Sequence, residues 1–152
     1  MIIMHKKILG DLSMALVPSL EGKLRLPVVG APLFIVSGPE LVIAQCKAGI
    51  VGSFPALNAR PQSMLGEWLT RIKEELAEYD RENPDSPSAP YAVNQICHAS
   101  NDRLMDDMQT CVDHEVPIII TSLRPPLEIV QACLLYTSPS PRDATLSRMP
   151  SS

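Results

Sequence analysis

Apolar residues along this chain follow two alternating rhythms. Four short runs, Val28–Ala31, Ile50–Phe54, Tyr91–Ile96 and Pro117–Thr121, are rich in β-branched and apolar side chains. Such runs bounded by Gly and Pro read as strands. Between them the apolar positions recur every three to four residues, the spacing of a helix with one buried face. Leu65, Trp68, Leu69, Ile72, Leu76 and Tyr79 form the longest such series, while Glu67, Arg71, Glu74 and Glu78 occupy the other positions. The pattern predicts strand, helix, strand, helix, strand, helix, strand, with a fourth helix opening at Pro126 and running to about Ala132.

Local signals place the boundaries. Ser37-Gly38-Pro39-Glu40 has the form of a capping box, with Ser37 at the N-cap, Pro39 in the first turn and Glu40 three residues after the cap,. Val42, Ile43 and Cys46 share one face of that helix, and Gly49 supplies a left-handed stop. Pro61 is predicted to open the second helix, and the Pro/Ser loop Asn83–Ser88 to close it. Ser100 or Asn101 is expected to cap a third helix with Leu104, Met108, Cys111 and Val112 facing inward. The run Pro117–Thr121 reads as a strand buried on both faces. Alternation of this kind implies parallel pairing through right-handed crossovers, hence an α/β fold, either doubly wound or barrel-like. In both, functional groups gather at the C-terminal ends of the strands: Ala31–Phe34, Ser53–Pro55, Asn94–His98 and Thr121–Leu123.

Composition narrows the function classes. With 152 residues, 45% apolar and 20% charged, the chain suits one ordinary globular domain,. A net charge of −4 with 4% aromatic residues argues against a nucleic-acid partner,. The four cysteines form no C-x-x-C and no metal-ligand spacing with His5, His98 or His114, so neither zinc nor a disulfide framework is expected, and a cytoplasmic location fits. The apolar runs fall well short of the roughly 18 to 20 residues of a membrane span. No secretory signal, G-x-S-x-G, G-x-G-x-x-G or Walker loop occurs.

The strand ends carry a resemblance. Leu26–Leu41, with its Ala-Pro-Leu-Phe-Ile-Val-Ser-Gly-Pro-Glu block, then Ala48–Pro55 with Gly-Ser-Phe-Pro, then Ala92-Val93-Asn94 and Ile119–Leu123, resemble the start of nitronate monooxygenases of the 2-nitropropane dioxygenase type. The resemblance covers Met14 to Ala132. It implies the N-terminal half of a TIM (β/α)8 barrel, FMN as a non-covalent cofactor, and oxidation of alkyl nitronates by dioxygen to a carbonyl compound and nitrite. It also implies that the backbone of Ala31, Pro32 and Leu33 lies beside the flavin ring, where a Pro-terminated strand end presents free backbone groups, and that the Asn94 amide hydrogen-bonds the cofactor. Ser53 and Ser122, at strand ends, read as lining the cofactor cavity, with simple loop caps as the alternative. Leu33 stands where the family often has Met, one apolar residue for another. A related flavin-dependent enoyl-thioester reductase is the alternative implied by the shared barrel. The family's glycine-rich phosphate loops and the histidine of its Gly-Gly-His segment follow the fourth strand, and this chain contains no Gly-Gly.

The chain is therefore expected to comprise three parts. Residues 1–13 read as a non-native or flexible leader, from upstream read-through with Met14 as the true start, or else as a short N-terminal helix. Residues 14–132 form a partial FMN-binding barrel. In the third part, Cys133–Asp143 resembles the in-frame translation of a sequencing adapter, and Ser147–Ser152 the primer that follows it, so residues 133–152 are set aside as an irregular tail. About half a barrel, inactive by itself and prone to self-association through its open edges, is then the expectation. Among the remaining candidates, His98 reads as a loop histidine near a helix N-terminus, with a site role as the alternative. His114 lies in the last turn of the third helix, where an imidazolium suits the dipole. Asp106 and Asp107 read as a solvated face, and Cys97 as a small buried apolar residue rather than one at the flavin mouth.

Overall fold

In the computed structural model the described residues are 20–123. The leader, the Met14 start, His5, the fourth helix from Pro126, Cys133 and the tail to Ser152 lie outside them. Within them the order is helix α1 (Pro39–Lys47), strand β1 (Gly52–Pro55), a 3-10 turn (Ala56–Asn58), helix α2 (Met64–Glu82), strand β2 (Tyr91–Ile96), helix α3 (Leu104–Asp113) and strand β3 (Ile118–Ser122). The three strands pair in chain order, all parallel. On the free side of β1, Val29 bridges Val51 in the same direction. Four parallel positions added one after another on the same side describe a growing barrel wall. Among the described residues no reversal of strand order marks the switch point of a doubly wound sheet,.

The first predicted strand is reduced to that bridge. Gly30 N–H donates to Val51 O at 2.7 Å and Val51 N–H to Val28 O at 3.1 Å. Pro27 and Pro32 on either side have no N–H to extend the ladder, and the Gly30 carbonyl is taken by the Ser53 hydroxyl.

α1 begins where expected but without a capping box. Gly38 is the N-cap in extended conformation, with no side-chain cap. Ser37 lies one residue too early, and its hydroxyl accepts from Leu33 N–H at 2.8 Å instead. Glu40 reaches Arg71 at 2.6 Å, and this ion pair holds its carboxyl below the usual range. Gly49 takes φ +85°, the left-handed stop,. α2 starts three residues after Pro61, because Met64 and Leu65 N–H bond the carbonyls of Pro61 and Gln62 in a preceding turn. It buries Leu65, Leu69, Ile72 and Leu76, as its periodicity predicts.

α3 departs in two respects. Its N-cap is Arg103, because Ser100 Oγ is engaged by His98 Nδ1 and the Asn101 amide by Ile96 O. Its inward face is Leu104, Asp107, Met108 and Cys111, while Val112 is exposed. Positions 104, 107, 108 and 111 follow the i, i+3, i+4, i+7 rule, and Val112 falls off that stripe. β3 is half-buried rather than sealed on both faces, since among the described residues no strand lies beyond it.

Strand register assigns the two faces of the sheet. Phe54, Tyr91, Val93 and Ile119 pack with Val42, Ile43, Leu65, Leu69 and Ile72 in the main core. Alternation then sends Ser53 and Pro55, Ala92 and Asn94, and Ile118, Ile120 and Ser122 to the opposite face,. In a (β/α)8 barrel the helix-free face is the interior.

Candidate functional site

The face of the sheet on which no helix packs among the described residues carries a polar pair at its C-terminal rim. Asn94 is level with Pro55 on one side and Ile120 on the other, and Ser122 lies two residues beyond Ile120 on the same face. The Ser122 hydroxyl donates to Asn94 Oδ1 at 2.6 Å. Asn94 is 6% exposed. Its amide carbonyl is thereby fixed and its orientation set, while Nδ2 has no acceptor among the described residues and is not among the sealed polar atoms. An amide N–H in that position can donate to the edge of a ligand lying across the rim.

The segment after Val29 reaches the same rim. Gly30 is tied to Ser53, two residues before Pro55, so Ala31–Leu33 emerge level with the ends of β1 and β2. Free backbone groups were expected here, yet those of Leu33 are consumed internally. Its N–H donates to Ser37 Oγ, and its carbonyl accepts from Ser37 N–H at 3.0 Å and Asn58 Nδ2 at 3.0 Å. Ala31 O accepts a long 3.5 Å bond from Ser37 Oγ. The segment offers side chains instead: Leu33, Phe34, Ile35 and Val36 are 49%, 58%, 80% and 65% exposed. Ile35 sits at φ +66°, an outlying conformation for a β-branched residue that costs on the order of 1–3 kcal/mol,.

Asn58, in the turn after β1, was not singled out by the sequence. Its Oδ1 accepts from Ile35 N–H at 3.1 Å, and its Nδ2 donates to Leu33 O and, at 2.8 Å, to Ser37 O. Arg103 also went unremarked. Its guanidinium donates to Ala59 O at 2.9 Å, Ala56 O at 3.5 Å and Asp107 Oδ1 at 3.0 Å. Asp107 is therefore a fully buried ion-pair partner, whereas a solvated face was expected. The opposite charges four residues apart were the available signal.

The other candidates stand apart. His98 is an exposed residue of the loop after β2, its Nδ1 accepting Ser100 N–H at 3.2 Å. Cys97 is buried with Leu104 and Met108, which agrees with a small apolar core residue. His114 is the C-cap of α3. Tyr91 and Cys46 face the helices, and burial pushes both groups up, the Cys46 thiol to about 11. No group of metal-ligating residues occurs among the described residues, nor is any helix there long and apolar enough to cross a membrane.

Comparison with known proteins gives fold and little more. No family model matches, and no curated protein matches. A solved structure that does match is a mutant of FabK from Thermotoga maritima, at 16% identity and a TM-score of 0.57 over 77% of this chain. The chain spans about a third (34%) of that protein's length. This chain has an α/β fold consistent with part of a TIM barrel, the architecture of that neighbour.

Proposed function

We propose that this chain is the N-terminal part of an FMN-dependent oxidoreductase of the nitronate monooxygenase type, which oxidises alkyl nitronates with dioxygen to a carbonyl compound and nitrite. The observation that carries the reading is the Asn94–Ser122 pair. It leaves an oriented amide NH2 on an otherwise uncharged face, and the segment that follows the Val29 bridge adds the exposed apolar side chains of Leu33 and its neighbours. That set fits a flat, mostly neutral heteroaromatic ring: the amide meets an acceptor on its edge, and apolar groups cover its face. FMN, when bound, supplies the redox chemistry that side chains lack. Ser122 locks the amide, Asn94 places the ring edge, and Ala31–Leu33 borders the ring and keeps water from it.

The phosphate-binding and proton-abstracting groups of such an enzyme belong to the remainder of the barrel. The isolated chain is accordingly expected to bind FMN weakly, release no nitrite and self-associate. The likeness in fold to FabK favours, as the second reading, the flavin-dependent enoyl-thioester reductase.

The test is to read the source DNA beyond codon 132 and assay its product. Continuation into a fifth strand and a Gly-Gly-His segment, with nitrite formed from an alkyl nitronate, is the expected result. In that protein Asn94→Ala should weaken FMN binding about tenfold, the worth of one hydrogen bond. Enoyl-thioester reduction without nitrite would overturn the monooxygenase reading, and a reading frame that ends at Ser152 would overturn catalysis altogether.

A further inference from the structure

Between Ala31 and Ser37 the chain runs over the rim without regular secondary structure. Four consecutive exposed apolar side chains, one of them on a left-handed backbone, do not hold such a shape by burial. Ser37 closes the segment on itself, its hydroxyl accepting from Leu33 N–H and donating to Ala31 O, and the side-chain bonds that reach it from another element come from Asn58. Asn58 accepts from Ile35 N–H, at the residue with the unfavourable φ, and donates to the carbonyls of Leu33 and Ser37 on either side. An amide is the group that can do this: it needs one acceptor and two donors on the same planar unit. Asp has no donor when ionised, and Ser is too short to span from residue 33 to residue 37.

The turn bearing Asn58 is itself fixed from behind. Arg103 bonds the carbonyls of Ala56 and Ala59, which flank Asn58, and is oriented by the buried Asp107. A line of hydrogen bonds thus runs from α3 through the turn after β1 to the segment before α1, joining elements that follow three different strand positions of the wall.

We infer that Asn58 is the positioning residue of the rim segment Ala31–Val36, holding it in the shape that receives the flavin ring, with Arg103 and Asp107 setting Asn58 in place. The inference deepens the proposed function and, for its flavin clause, rests on it. Asn58 itself need not touch the ring. Its effect is to make the apolar segment a preformed wall, so that binding does not have to order it.

Hydrogen exchange followed by mass spectrometry on the 152-residue chain tests this, with Asn58→Ala and Asn58→Asp, each with and without added FMN. Asn58→Ala should speed exchange in peptides covering residues 31–37 about tenfold or more, and leave peptides from α2 unchanged. Asn58→Asp, which still accepts from Ile35, should fall between Asn58→Ala and the parent. Added FMN should slow exchange of residues 31–37 in the parent and much less in Asn58→Ala, and the visible circular dichroism of bound flavin should weaken with it. Unchanged exchange in Asn58→Ala would overturn the positioning role. Loosening in Asn58→Ala without protection of the parent, even at about 1 mM FMN, enough to fill a weak site, would uphold that role and overturn the flavin reading. Faster exchange throughout α2 would show a general structural effect and would also overturn the inference as stated.

Discussion

Among the described residues, Arg103 is the only cation within bonding distance of the buried Asp107 carboxylate, and replacing it by methionine removes that partner. Asp107 is 0% exposed and bonds Arg103 Nη2 at 3.0 Å, and its second oxygen has no partner among the described residues. Breaking a buried pair from this side costs about 3–5 kcal/mol. Loss of the bond from Arg103 to Ala59 O adds about 1 kcal/mol,. The reverse perturbation is milder, because Asp107→Asn keeps an acceptor at Oδ1 and the Arg103 side chain, 21% exposed, keeps water and two carbonyls. That change should cost about 1–2 kcal/mol. An apolar pair, Arg103→Met with Asp107→Leu, should recover most of the loss, since no charge is then stranded. Urea unfolding reads all three through the single tryptophan, Trp68, which packs against Phe54 at 5.7 Å between ring centroids. Midpoint shifts at constant slope give the stability differences. Asp107→Asn costing as much as Arg103→Met, or Arg103→Met costing under about 1 kcal/mol, would refute the reasoning.

Two further outcomes follow from the packing of α1 on β1. The buried Cys46 thiol is pushed up to about 11 from 9.0, so folding favours the protonated form. Its contribution is complete below about pH 9 and lost as pH rises towards 11, by about 3 kcal/mol in all, and Cys46→Ala should flatten that part of the stability profile. Gly52→Ala would place a methyl 2.5 Å from Val42 O and 3.0 Å from Cys46 Sγ. Since the first contact is backbone, α1 must move, and thermal unfolding should show a loss of about 1–3 kcal/mol.

Regular elements were legible because their signals are local. The α2 stripe, the Gly49 stop and the apolar run of β2 each depend on a few neighbouring residues, and each forms where its pattern lies. The misplacements come from polar side chains that found partners elsewhere. Ser37 and Ser100 have the chemistry of caps, but an N–H of the rim segment and the ring of His98 took their oxygens. Val28–Ala31 has strand composition, but its flanking prolines leave room for one bridge. At the site, Asn94 was noticed through a resemblance and Ser122 through its place at a strand end, and the register shows why they meet: both project from the same face, on adjacent strands. Asn58 was not legible, because it bonds backbone groups 21 to 25 residues away in sequence, and no periodic pattern records such a contact; of Arg103 only the i, i+4 pairing with Asp107 was legible, and not its bonds to carbonyls 44 and 47 residues away.

Pairing each strand with the next one along the chain also fixes how the sheet can assemble. Val29 with Val51, Ser53 with Ala92, and Ala92 with Ile118 close loops of roughly 20 to 40 residues, whose entropic costs differ by only about 0.5 kcal/mol,. Among the described residues no pairing waits for a residue far downstream. Each strand and helix can therefore dock on the unit before it as the chain leaves the ribosome, and the closure across the long α2 is the most expensive of the three.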